Sequence, residues 1–242
     1  MKFTRISISA AALAGLALAG PAHAEDRVGG YVGIEAGVSM APTERYTILP
    51  NSTVPSPNPA ANSVSIKSKT GLDIAFIGGY DFGPIRAEVE LSRRSNKVGR
   101  IDSTAALPTR FNTPPALPTT ATGAFTATTG SIRTRAAMFN LIGDLPVTDS
   151  FELFAGGGIG IADVRGRSVS VSPTATFLND TDKGFAWQLM SGARVPLGEN
   201  VEISVKYKYF HTAGVHQVDT MNRLLESSRS SHSVLGGVAL RF

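Results

Sequence analysis

Apolar and polar residues alternate with a period of two in eight separate stretches, the signature of strands with one apolar face. The last, Ser231 to Phe242, puts Val234, Gly236, Val238, Leu240 and Phe242 on one side and Ser233, Leu235, Gly237, Ala239 and Arg241 on the other. The first, Val28 to Met40, sets Val32, Ile34, Ala36 and Val38 against Tyr31, Gly33, Glu35 and Gly37. Thr70 to Phe82 alternates Leu72, Ile74, Phe76, Gly78, Tyr80 and Phe82 with Asp73, Ala75, Ile77 and Asp81. After the turn Gly83-Pro84, Ile85, Ala87, Val89 and Leu91 oppose Arg86, Glu88 and Glu90. Strands are also predicted over Ser131–Leu145, Phe151–Val164 and Lys183–Val195, and from Val201 to Tyr209, where Glu202, Lys206 and Lys208 form the polar side.

The connections between these strands alternate long and short. Four long segments, at about 41–69, 96–130, 165–182 and 212–230, are rich in Pro, Thr, Ser and Asn, and the first two are predicted to be loops without a packed core. Tight turns lie at Gly83-Pro84, Pro146–Ser150 and Pro196–Asn200. This rhythm predicts an all-β, eight-stranded up-and-down antiparallel barrel, with every tight turn and both termini at one end.

Alternation alone leaves open a soluble periplasmic barrel with its apolar face inside. Three features favour the transmembrane arrangement. Lys2 and Arg5, an apolar run from Ala10 to Ala19 and the Ala22-His23-Ala24 site read as a cleavable export signal over residues 1–24. That leaves 242 − 24 = 218 residues, 25–242, for one barrel domain. Aromatic residues on the apolar face gather near strand ends: Tyr80, Phe82, Phe151 and Phe242 toward the tight turns, and Phe185, Trp187, Tyr207 and Tyr209 toward the long segments. Such belts mark the two lipid–water interfaces. The opposite face carries both signs of charge, on Glu35, Asp73, Arg86, Glu88, Glu90, Arg194, Glu202, Lys206, Lys208 and Arg241. In a narrow lumen these side chains are predicted to neutralise one another as a salt-bridge network.

The formal charge of +4 includes Lys2 and Arg5, so the mature chain carries 4 − 2 = +2. A small, dispersed excess argues against nucleic-acid binding. Cysteine is absent, so no disulfide framework contributes. With a mean hydropathy of +0.05, a membrane protein of this composition has to cross as strands.

Ala137-Met138-Phe139-Asn140-Leu141-Ile142-Gly143-Asp144-Leu145-Pro146, Phe154-Ala155-Gly156-Gly157-Gly158-Ile159-Gly160-Ile161-Ala162 and Phe185-Ala186-Trp187-Gln188-Leu189-Met190-Ser191-Gly192-Ala193-Arg194 resemble the opacity-type outer-membrane β-barrel family, related to the OmpA transmembrane domain. The resemblance covers the whole mature chain. It implies an integral outer-membrane barrel in contact with lipid and lipopolysaccharide, assembled by the barrel-assembly machinery through its C-terminal strand. Function would then lie in envelope structure and in surface loops that meet a host or envelope ligand. Members of such families are also called porins, which keeps a small ion or solute channel as the rival reading.

Other chemistry is weak. Gly156, Gly158 and Gly160 lack phosphate-loop spacing and are read as lumenal room for long side chains opposite. His211, His216 and His232 are read as solvated loop residues rather than metal ligands. Phe210-His211-Thr212-Ala213 is similar to the His-x-Ser of lipid A deacylases, but Ala213 stands where the serine would be, so a lipid-modifying enzyme ranks third. No cofactor, metal or catalytic residue is expected.

Overall fold

A computed structural model describes residues 28–49, 60–112, 118–126, 128–148 and 150–242; residues 1–24, read as an export signal, lie outside them. The strands are β1 (Gly29–Met40), β2 (Glu44–Leu49), β3 (Ala60–Ser68), β4 (Gly71–Asp81), β5 (Ile85–Arg110), β6 (Thr119–Phe125), β7 (Thr129–Thr148), β8 (Phe151–Ser172), β9 (Ala175–Leu178), β10 (Thr181–Leu197), β11 (Val201–Val218) and β12 (Leu224–Arg241). Eight of them, β1, β4, β5, β7, β8, β10, β11 and β12, pair antiparallel with their neighbours in chain order. The ring closes where β12 pairs β1, from Tyr31 opposite Arg241 to Met40 opposite His232. Gly30 and Phe242 then exchange backbone hydrogen bonds of 3.1 and 3.0 Å. The predicted eight-stranded up-and-down barrel is therefore the observed one.

Facing follows the alternation. Val32, Ile34, Val38, Phe76, Leu91, Phe139, Ile161, Val205 and Val238 are exposed on the outer wall, whereas Tyr31, Glu35, Asp73, Glu88, Glu90, Asn140, Gln188 and Lys208 are buried inside. An open row of apolar side chains outside and charges inside suits lipid rather than water.

The long segments differ from their prediction. Most of 41–69, 96–130, 165–182 and 212–230 is not loop: β5 runs on to Arg110, β8 to Ser172, β11 to Val218, and β12 starts at Leu224. The Pro-rich stretch 50–59 and residues 113–117 lie outside the described residues. Above the membrane portion, β2 takes the place of β1 beside β12, and β3 takes the place of β4 beside β5. The β2–β3 hairpin thus continues the ring upward as a crown, with β6 added to β5 and β9 to β8. A packed core fills it: Tyr46, Ile48, Val64, Ile66, Val98, Ile101, Leu107, Ile132, Val164, Val169, Val171, Phe177, Leu178, Val215 and Leu225.

The physical reason is that the polarity of the inward and outward sides inverts along each long strand. On β5 the inward residues change from Arg86, Glu88 and Glu90 to Val98 and Ile101, and the outward ones from Val89 and Leu91 to Arg93, Lys97 and Arg100. Where lipid gives way to water, the apolar face must turn inside, as in any water-soluble barrel. The Phe177→Ala variant should lose about 3–5 kcal/mol from this core. The expected outcome is faster tryptic cleavage within the crown while heat-modifiable migration of the barrel on gels is retained.

Candidate functional site

The lumen of the membrane portion is filled by polar side chains in tiers. In the lowest, near the tight turns, Arg86 Nε lies 2.6 Å from Asp144 Oδ2 and 3.1 Å from Asp81 Oδ2, with its Nη1 3.2 Å from Glu202. Arg194 reaches Asp144 Oδ1 at 2.6 Å and Glu202 Oε1 at 2.7 Å. Arg241 bridges Asp81 at 2.7 Å and Glu202 at 3.0 Å, tying the last strand to β4 and β11. The guanidinium of Arg194 also stacks 4.4 Å from the Phe154 ring centroid.

In the middle tier, Lys206 Nζ is 2.5 Å from Glu35 Oε1, and Lys208 Nζ is 2.8 Å from Glu90 and 3.6 Å from Asp73. Arg94 Nε pairs with Asp73 at 2.9 Å while its guanidinium stacks 3.9 Å from the Phe210 centroid. Neutral groups complete the set: Tyr31 O–H donates to Glu88 at 3.1 Å, Asn140 Nδ2 to Glu88 at 3.0 Å, and Gln188 Nε2 to Glu90 and Asn140 Oδ1 at 2.9 and 2.8 Å. Asn140 lies across Gly158, where a Cβ would collide with its side chain, so that glycine is room for the network.

At the base of the crown, Arg229 pairs with Glu44 and donates to Asn96 Oδ1 at 2.9 Å. Asn96 in turn donates to the Ser39 and Lys69 carbonyls. Burial pushes the Glu44 carboxyl above the usual carboxylate range, against the pull of Arg229. The apolar crown core closes the space above. Charges buried this deeply persist because each has an opposite charge within 4 Å in low dielectric.

The structure places all ten charges predicted for the lumen, Glu35, Asp73, Arg86, Glu88, Glu90, Arg194, Glu202, Lys206, Lys208 and Arg241, within these ion-paired tiers. Sequence reasoning missed other members. Asp81 and Asp144 lie on the polar faces of predicted strands close to the tight turns, and Glu152 is the second residue of β8, yet none of the three belongs to the predicted charge set. Arg94 lies beyond Leu91, the last residue of the predicted alternation; Glu44 and Arg229 lie in segments predicted as loops.

The outer wall carries the aromatic positions. Tyr80 and Phe82 stack at 4.8 Å at the tight-turn end, where Phe242 is exposed and packs over Gly30; Phe151, which opens β8, is half-buried. Phe185 is exposed higher on β10. Trp187, Tyr207 and Tyr209 join His211 and His232: Trp187 lies 5.3 Å from Tyr209 and 5.4 Å from His211, and Tyr209 5.1 Å from His232. None of the three histidines is therefore a loop residue: His216 also lies on β11, exposed in the crown. His211 sits on β11, which runs past the predicted end at Tyr209, and His232 lies on β12 within the predicted closing strand; both belong to the aromatic belt. The Tyr207 hydroxyl meets His232 Nδ1 at 2.7 Å, and the Ser230 hydroxyl meets His211 Nδ1 at 2.9 Å.

A family model described as the outer membrane protein beta-barrel domain matches residues 8–242. No curated protein matches the chain. Similar solved structures include Neisserial surface protein A (NspA), at 14% identity and TM-score 0.52, covering 88% of this chain and 97% of that one. Another is the outer membrane protein OprG from Pseudomonas aeruginosa, at 12% identity and TM-score 0.44, covering 88% and 96%. At such identity the likeness to NspA is one of fold.

Replacing Arg86 by Met leaves Asp81, Asp144 and Glu202 short of a cation, and the refolded barrel should lose about 3–5 kcal/mol in denaturant unfolding. The exposed Arg100–Asp102 pair serves as the control, and Arg100→Ala should leave the midpoint unchanged. Gly158→Ala should displace Asn140 and cost about 1–3 kcal/mol.

Proposed function

Because the chain belongs to the outer membrane protein β-barrel domain family and is an integral protein of the bacterial outer membrane, we propose that it is a closed barrel that acts at the cell surface through its crown rather than a channel. The observation that carries this reading is the double seal of the lumen. The ion-paired tiers block the membrane portion, and the apolar core from Tyr46 to Leu225 fills the crown above them. An eight-stranded barrel is about wide enough for its own side chains, and here they occupy it at both levels.

What remains available to other molecules is the outside. The crown presents polar strands to the medium, with β6 largely exposed and held to β5. Arg223 fixes the last connection by pairing with Asp219 at 2.7 Å and donating to the Ala106 carbonyl at 2.9 Å. A surface built from paired strands on a packed core is preorganised, which reduces the ordering cost of binding a host or envelope ligand. Lipid and lipopolysaccharide surround the wall below, and the C-terminal strand is the proposed handle for the assembly machinery.

Liposomes containing the refolded protein should swell in isotonic arabinose or glycine no faster than protein-free liposomes. Rapid swelling by both solutes would replace this reading with the channel. Swelling that appears only in the Arg86→Met variant would locate the seal in the lower tiers.

A further inference from the structure

Immediately above the apolar wall, one sector of the barrel exterior is strongly basic. The register aligns Arg93, Arg135, Asp163 and Lys183 side by side across β5, β7, β8 and β10. One row higher stand Arg133 and Arg165, and above them Lys97 and Arg167. Among the described residues none of these seven cations forms an ion pair, and Arg133 Nε is buried without a hydrogen-bond partner. Arg93 directly opposes Arg135, and Arg133 directly opposes Arg165. Like charges placed opposite each other weaken a sheet, so this arrangement calls for an anion from outside the chain.

The row below is apolar: Phe76, Leu91, Ala137, Ile161 and Phe185 lie in cross-strand register. Ala137, the smallest, leaves a depression between Leu91 and Ile161. A groove of about 700 Å³ opens on the outer wall here, with Phe76, Leu91, Ala137 and Ile161 as its floor and Arg93, Arg135 and Lys183 on its rim. Its depth in the membrane follows from strand length. The outward apolar runs from Leu145 to Ala137, Leu153 to Ile161 and Val195 to Phe185 each have about the 9–11 residues of a membrane-spanning strand. The next outward residue on each strand is Arg135, Asp163 or Lys183, which puts the rim at headgroup level on the crown side.

We propose that this groove binds one phosphorylated glycolipid of the outer leaflet, with an acyl chain along Leu91, Ala137 and Ile161 and a phosphate held by Arg93, Arg135 and Lys183. A phosphate monoester takes up forked guanidinium donors bidentately and an ammonium as a point charge, and this rim supplies both. Asp163 stands between Arg135 and Lys183 in the same row and still leaves the rim net positive. The inference rests on membrane placement and not on whether the lumen conducts.

The test is native mass spectrometry of the refolded protein in detergent with bisphosphorylated lipid A, enzymatically dephosphorylated lipid A, or inorganic phosphate as probe. The wild type should retain one molecule of bisphosphorylated lipid A. The triple variant R93Q/R135Q/K183Q and the groove-filling variant A137F should each bind it at least about tenfold more weakly. All four positions are on the outer wall, and heat-modifiable migration checks that each variant is folded. Dephosphorylated lipid A should bind the wild type as weakly as bisphosphorylated lipid A binds the triple variant. Equal affinity of the wild type and R93Q/R135Q/K183Q would overturn the phosphate site, and undiminished binding by A137F would overturn the groove. Inorganic phosphate that binds as tightly as the lipid would overturn the assignment to a lipid.

Discussion

Hydrocarbon offers a backbone no hydrogen-bond partner, so the sheet has to close on itself, and the rest of this structure depends on that closure. It is completed by the pairing of β12 with β1 and sealed at the last residue, where Phe242 and Gly30 exchange hydrogen bonds. Once the ring is closed, every side chain is committed to lipid or lumen by its parity alone, and a slip of one residue would reverse them all. The small girth set by eight strands then leaves the lumen room for side chains and little else. Charges of both signs inside are a consequence: an isolated one would be intolerable, so each of Glu35, Glu90, Lys206 and Lys208 comes with a partner on a facing strand.

A second constraint acts along the strands. Bulges reset the phase of the alternation in the upper parts of β5, β8 and β11, yet each strand keeps one side in and one side out, while the solvent outside changes from lipid to water part of the way up. Inward positions therefore change from Glu88 and Glu90 to Val98 and Ile101 on β5, and to Val169 and Val171 at the top of β8. Outward positions change in the opposite sense at the same height, from Ile161 to Arg165 and Arg167 on β8. The apolar crown core and the external basic sector are thus two faces of one inversion.

This explains what could be read from the chain and what could not. In the membrane portion the pattern is unambiguous, and the strand positions, the facing of Val32, Phe76 and Val205, and the inward turn of ten charged residues follow from it. Above, the signal is diluted. Tyr46 and Ile48, or Val64 and Ile66, form alternations too short to stand out among Pro, Ser and Thr, and they acquire a core only by docking against β12 and β5. An alternation whose polarity reverses also resembles a strand that ends, which hid Arg94 from the lumen and placed His211 nearer a loop than it is. The basic sector comes from register: Arg93, Arg135, Asp163 and Lys183 are scattered in sequence and become neighbours only through cross-strand pairing.

Amide hydrogen exchange of the refolded protein in lipid tests the central claim most directly, namely that the sheet continues past the membrane around an apolar core. Amides in segments 64–67, 98–103 and 215–218 should exchange over hours, within reach of those at 86–92 in the membrane portion. Complete exchange of the crown segments within seconds, with the membrane strands still protected, would contradict it and return these segments to loops.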